Sequence, residues 1–430
     1  MATAAREIAR ICLDRAEAAG QYSNITLDTA LTRASLSEAD ARLATALFYS
    51  VLEHRITLDA VIDARATLPP SAIERGVRQI LRLALAQLLY FDRIPDHAAI
   101  NEAVEAAPRR SKGFVNALLR QFCRDEKPLH LPEKNDFPAY LSVRYSVTPP
   151  LAKALCDCYG RERAESLLAA FAVPPPVTVR VNTARLSVAE FLARVPGSAP
   201  VKHAPSGVIL PPNTKLTPLL EVGLCFVQDE ASQIAVAAVD AHPGMRVADL
   251  CAAPGSKSFG IAADMQNTGD VRSFDLHENK ISLIRRGSAA LGLTCITAAA
   301  GDARRAAKEA LGTFDRVLCD VPCSGFGVIA KKPELRYKNP ADTAGLLPTQ
   351  REILAAGAEL VRPGGVLVYS TCTLFPAENE EQVGAFLQTH PDFALTPFAV
   401  GGISSGGALT LTPDHDGTDG FFVAKFTRKG

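Results

Sequence analysis

Apolar residues recur at three- and four-residue spacing through the first ~125 residues, and no run there alternates polar with apolar positions. Ile8, Ile11 and Cys12 share one helical face, and Ser37 to His54 carries Leu43, Leu47, Phe48 and Val51 on another. Pro69-Pro70 stops one element. Ser71 to Phe91 then forms a strongly apolar helix through Ile80, Leu81, Leu83, Leu85, Leu88 and Leu89, followed by short helices at His97 to Ala106 and Ser111 to Cys123. The spacing predicts an all-α domain over residues 1–126. A polar, proline-bearing stretch from Arg124 to Phe137 reads as a linker.

The pattern then becomes mixed. Residues 138–235 combine helical spacing with short strand-like runs, and prolines cluster at Pro149-Pro150 and Pro174 to Pro176, which predicts a small α+β subdomain. From about Asp240 short apolar runs alternate with helical stretches: Arg246 to Leu250, Val271 to Asp275, Cys295 to Ala298, Arg316 to Asp320, Gly365 to Ser370 and Phe421 to Phe426. Strands alternating with helices predict a Rossmann-like α/β domain over residues 236–430, with ligands at the carboxyl ends of its strands. Too little helix separates the last two runs for another parallel crossover, so the sheet is expected to finish antiparallel. No repeat of fixed period is visible.

Length and composition narrow this picture. A chain of 430 residues suggests roughly two or three domains. Its 47% hydrophobic and 21% charged residues exclude disorder over most of the length. Net charge is zero, so a nucleic-acid partner would have to be met by a local basic face. Two stretches offer one: Arg109, Arg110, Lys112 and Arg120, and Lys331-Lys332, although charge runs are commonly just solvated. The ten cysteines follow no signal peptide, and no apolar stretch reaches membrane-spanning length, so reduced thiols and a cytoplasmic protein are expected. Cys156-Asp-Cys158 and Cys319…Cys323 lack the paired spacing of a zinc site, and no metal is expected.

The candidate chemistry sits at strand ends. Val247-Ala-Asp249-Leu250 runs into Cys251-Ala252-Ala253-Pro254-Gly255-Ser256-Lys257, where a helix should begin. Small residues let the backbone approach a ligand, and the helix start offers amide donors to a carboxylate. With one glycine this is not a dinucleotide fingerprint. Asp275 ends the next strand, where a carboxylate can accept from ribose hydroxyls, and Asp302 ends the one after, where it can accept from an adenine amino group. Each acid could instead simply cap its following helix. Lys280 is a weaker candidate, since a lysine on a helix face is usually solvated. Cys323, in Asp320-Val-Pro-Cys-Ser-Gly325, and Cys372, in Tyr369-Ser-Thr-Cys-Thr373, both follow apolar strands directly. Cys12, Cys225 and Cys295 read as buried small hydrophobes.

Taken together, CAAPGSK, DVPCSG, YSTCT, Glu378-Asn379-Glu380, Gln228-Asp229-Glu230-Ala-Ser232 and Arg180-Val-Asn-Thr183 resemble the RNA cytosine-5 methyltransferase family. The N-terminal domain, with Gly113-Phe-Val-Asn-Ala-Leu-Leu-Arg120, resembles the antitermination factor NusB. The resemblance implies S-adenosylmethionine as cofactor, held by Cys251 to Lys257, Asp275, Lys280, Asp302 and Asp320. It implies RNA as substrate, 16S rRNA foremost and transfer RNA as the alternative, with the target base out of its stack. It assigns attack on cytosine C6 to Cys372 and resolution of the adduct to Cys323. Asp320 is implied to bind the N3/N4 edge, and Lys257 the O2 side. Ser256 departs from the family, which often has a second glycine there. Amino-group methyltransferases use an Asn/Asp-Pro-Pro-aromatic loop where this chain has Asp-Val-Pro-Cys. A non-catalytic RNA-binding scaffold would not need the cofactor loop or both cysteines. A monomer is the default expectation.

Overall fold

Helix propensity and capping shape the N-terminal part of the computed structural model, which describes residues 4–19, 23–34, 36–212, 214–305 and 312–430. Its helices are α1 (Ala4–Ala19), α2 (Ser23–Arg33), α3 (Glu38–Arg65), α4 (Arg75–Tyr90), α5 (Asp96–Ala106) and α6 (Lys112–Arg124). Ser37 caps α3 by accepting from the Asp40 amide, and α3 runs well past His54 because Thr57, Leu58, Val61 and Ile62 continue its buried face. Leu47, Phe48, Leu58, Leu81, Leu85, Leu119 and Phe122 form the centre of this core and are fully buried. Arg82, itself buried, is neutralised by Asp59 at 2.6 Å and Glu17 at 3.3 Å. Three more helices follow: α7 (Phe137–Tyr145), α8 (Pro149–Tyr159) and α9 (Arg161–Phe171).

The chain divides into two units, Met1–Ala172 with Lys332–Pro340, and Val173–Lys331 with Ala341–Gly430. Helices α7, α8 and α9 therefore belong to the first unit. Within that unit Arg336 donates to the carbonyls of Tyr145 and Phe171.

The second unit opens with a four-stranded antiparallel sheet of β1 (Thr178–Val181), β2 (Ala199–Pro200), β3 (Gly207–Ile209) and β4 (Cys225–Val227), in the order β2-β3-β1-β4. Helices α10 (Val188–Arg194), α11 (Leu216–Glu221) and α12 (Glu230–Val239) accompany it. The large sheet is built from β5 (Arg246–Asp249), β6 (Asp270–Asp275), β7 (Ile296–Ala300), β8 (Phe314–Asp320), β9 (Val361–Thr371), β10 (Phe393–Leu395) and, beyond the hairpin of β11 (Phe398–Val400) and β12 (Ile403–Ser405), β13 (Ala408–Leu411) and β14 (Phe421–Arg428). Its order is β10-β14-β9-β8-β5-β6-β7, with β13 also on β14. Strands β5 to β9 pair in parallel, and β14 pairs antiparallel with β9, the finish the short last connection predicts.

Alternation along the strands separates two apolar layers. Val247, Leu318, Val366 and Val368 share a core with α12, α13 (Ser256–Asp264) and α14 (Glu278–Leu291). Ala248, Val317, Cys319, Leu367 and Tyr369 pack on the other side with α15 (Leu346–Leu360) and α16 (Glu380–Thr389). The chain thus joins an all-α N-terminal part to a Rossmann-like α/β domain with a small preceding sheet.

Candidate active site

The carboxyl ends of β5, β6, β8 and β9 carry most of the candidate residues. After β5 the chain turns through Cys251 to Gly255 and enters α13. Gly255 has φ +116°, and a Cβ there would lie 2.4 Å from the Phe259 ring, so only glycine fits. The Phe259 amide makes the first helical bond, to the Gly255 carbonyl at 2.8 Å, which leaves the amides of residues 256–258 as the open donors of the helix start. Gln228 holds the Ser256 carbonyl at 2.9 Å. Beneath the loop Asp249 is fully buried, and its Oδ2 accepts from Ser258, which in turn accepts from Ser273. Burial pushes the Asp249 carboxyl up to about 7, with the Ser258 hydrogen bond opposing.

Asp275 closes β6, nearly buried, accepting from the His277 amide and facing Lys280 at 3.6 Å. Lys280 itself stays about half exposed. Asp302 is different: Arg304 engages both its oxygens, the closest approach being 2.7 Å, and holds its carboxyl below the usual range. The Arg304 amide also donates to Asp302 Oδ1 at 3.0 Å.

Asp320, at the end of β8, joins two neighbours. Its Oδ2 lies 2.8 Å from Lys257 Nζ, and its Oδ1 accepts from Ser370 of β9 at 2.7 Å. Burial works to lower the Lys257 ammonium, but Asp320 outweighs it and Cys372 acts in the same direction, so its pKa ends above the ordinary value. Adjacent parallel strands bring the two cysteine loops together: Cys323 Sγ lies 3.3 Å from Cys372 Sγ, and the Cys372 amide donates to Cys323 Sγ. The contact with Cys372, with burial behind it, pushes the Cys323 thiol well up. None of the ten cysteines forms a disulfide.

Sequence reasoning missed two features. Glu378, buried in the turn after the Cys372 loop, accepts from Ser324 and Gln350. The motif was visible, but its partners are distant in sequence. Lys331 is no solvated charge: it lies 2.8 Å from Asp419 and also pairs with Asp229. Burial opposes the Lys331 ammonium, yet the two acids raise it; Asp419, half-buried, is pushed up to about 6 by desolvation and by Asp229. On the helical part, Arg110 pairs with Glu74, Lys112 with Glu105, and Arg120 donates to Asn116.

Comparison with known proteins places this geometry. A model of the family described as 16S rRNA methyltransferase RsmB/F matches residues 236–427, and one of the NusB family matches residues 3–124. A "Probable ribosomal RNA small subunit methyltransferase B" from Bacillus subtilis is 39% identical over 448 residues, covering 100% of this chain and 99% of that protein. A protein of the same description from Synechocystis sp. is 34% identical, covering 99% of both. The crystal structure of PH0851 superposes with a TM-score of 0.77 at 26% identity over 99% of each chain. The family match and the full-length likeness agree: the chain belongs to the 16S rRNA methyltransferase RsmB/F family.

Proposed function

We propose that this chain transfers a methyl group from S-adenosylmethionine to C5 of a cytosine in 16S rRNA through a covalent bond to Cys372. The observation that carries the reading is the pair of thiols 3.3 Å apart on neighbouring strand ends, beside the Lys257–Asp320 pair. S-adenosylmethionine, when bound, supplies a methyl group on a cationic sulfur. Residues Cys251 to Lys257, Asp275, Lys280, Asp302 and Asp320 would hold it. The close backbone approach that Gly255 permits suits that group, as does the nearly buried carboxylate of Asp275.

The protein's own residues activate the base. Cytosine C5 is too weak a nucleophile alone, so the Cys372 thiolate adds to C6 and the C5–C6 π pair moves onto C5. Lys257 favours that thiolate electrostatically and can donate to O2, while Asp320 can accept from the N3/N4 edge, offsetting charge on the ring. Once C5 carries the methyl group, its proton passes to water. The C–H electron pair re-forms the C5–C6 double bond, and the C6–S bond breaks, returning its electrons to Cys372. Cys323, held as a thiol, donates to the departing sulfur. The NusB-like helices, with Arg109, Arg110, Lys112 and Arg120, position the RNA.

The test is bisulfite mapping of 16S rRNA from a strain lacking this chain. One 5-methylcytosine should be missing and return when the chain is restored. Unchanged 16S rRNA, or a loss confined to transfer RNA, overturns the substrate assignment.

A further inference from the structure

Glu378 is 2% exposed, and among the described residues it has no ion-pair partner. It is bonded by neutral donors instead. Ser324 donates twice, from its amide to Oε2 at 2.9 Å and from its hydroxyl to Oε1 at 2.5 Å; Gln350 Nε2 donates to Oε2 at 2.9 Å. The same Gln350 nitrogen donates to the Pro322 carbonyl at 3.0 Å, so both neighbours of Cys323 are gripped. On the other loop, Ser324 Oγ lies 2.7 Å from Thr373 Oγ1, next to Cys372. Asn379 completes the frame, accepting from Thr371 and donating to the Thr373 carbonyl, while Tyr369 donates to the Glu378 carbonyl at 2.6 Å.

A buried carboxylate with no cation is a poor way to stabilise a fold, because desolvation of the charge is costly and a packed apolar side chain would serve as well. Its hydrogen bonds instead converge on the residues that flank the two sulfurs. We propose that Glu378 is a positioning residue that fixes Cys323 against Cys372, so that Cys323 can assist departure of the Cys372 sulfur from the methylated base. This rests on the reading of the reaction given above. The negative charge also helps keep Cys323 in its thiol form, behind the larger effects of Cys372 and burial.

The experiment uses the full chain, S-adenosylmethionine and an RNA substrate in single-turnover assays. Protein–RNA adduct is followed on denaturing gels, and the KM for S-adenosylmethionine is measured alongside. Glu378→Ala should slow adduct release about tenfold or more, the rate equivalent of removing a hydrogen bond to a charged acceptor. Its KM for S-adenosylmethionine should stay within about twofold of wild type. Glu378→Gln should restore release to within about threefold, since its amide can accept from the Ser324 and Gln350 N–H groups and donate to Ser324 Oγ. Release at the wild-type rate in Glu378→Ala overturns the inference. So does equal impairment of both variants with weakened cofactor use, the mark of a purely structural role. If Glu378→Ala does not fold, Ser324→Ala carries the same test, and unaltered release there overturns it. Cys323→Ala is the control: if it too leaves no adduct, the reading beneath the inference falls, whereas an adduct in that variant alone sinks only the role of Glu378.

Discussion

Single residues set the limits of the loop between β5 and α13. Gly255 combines φ +116° with no space for a Cβ, so Gly255→Ala should abolish S-adenosylmethionine binding in calorimetry, while Ser256→Gly should bind normally. Asp275→Ala should weaken binding at least about tenfold, since a hydrogen bond to a charged acceptor is worth roughly 1.5–3 kcal/mol; unchanged affinity would remove Asp275 from the site. Both positions stand out in the sequence as a lone glycine before a helix and an acid at a strand end, although the acid there could equally cap the helix that follows. The burial of Asp249 was not legible there, since it depends on layers contributed by distant strands. Its folded pKa of about 7 is raised above its ordinary value, so its contribution to stability is complete at low pH and lost as pH rises toward 7. Urea midpoints measured between pH 5 and pH 8 should therefore fall less steeply in Asp249→Asn than in wild type, a single such group accounting for at most roughly 1.4 kcal/mol per pH unit. Parallel slopes would contradict the raised pKa.

At the scale of elements, β5 to β9 and β14 were visible as short apolar runs set off by helical stretches or turns. Strands β10 to β13 were not, because they are three or four residues long and follow one another with no helix between them to set them apart. The loops were harder still. That the Cys323 loop continues into a tight crossing follows from Gly327, whose amide donates to the Cys372 carbonyl at 2.9 Å and whose carbonyl accepts from Gly420 at 2.8 Å. A Cβ at Gly327 would come within 1.9 Å of the Gly420 carbonyl oxygen. Gly327→Ala should thus destabilise the fold by about 1–3 kcal/mol, the usual cost of overpacking, and lower methyl transfer more than cofactor affinity. A variant with wild-type melting and activity would show that the two loops need not touch. Lys331, in the same loop, shows why charge runs mislead: its two acidic partners lie about a hundred residues before it and nearly ninety after it.

For the molecule as a whole, the helical and α/β parts were legible from a change of period alone, whereas the grouping of α7 to α9 with the first unit depends on packing that no periodicity encodes. Zero net charge makes RNA binding a matter of local cations. Arg109→Ala with Arg120→Ala should weaken RNA binding and lower the slope of log affinity against log salt by about 0.7–0.9 for each phosphate no longer neutralised, leaving S-adenosylmethionine affinity unchanged. An unaltered slope would take that face away from RNA. If Cys372 attacks and Cys323 assists release, a denaturing gel of the two alanine variants with RNA and S-adenosylmethionine tells the two sulfurs apart. Cys372→Ala should be inactive and free of RNA, and Cys323→Ala should be trapped as a protein–RNA adduct that survives denaturation. An adduct in Cys372→Ala with none in Cys323→Ala would contradict the assignment.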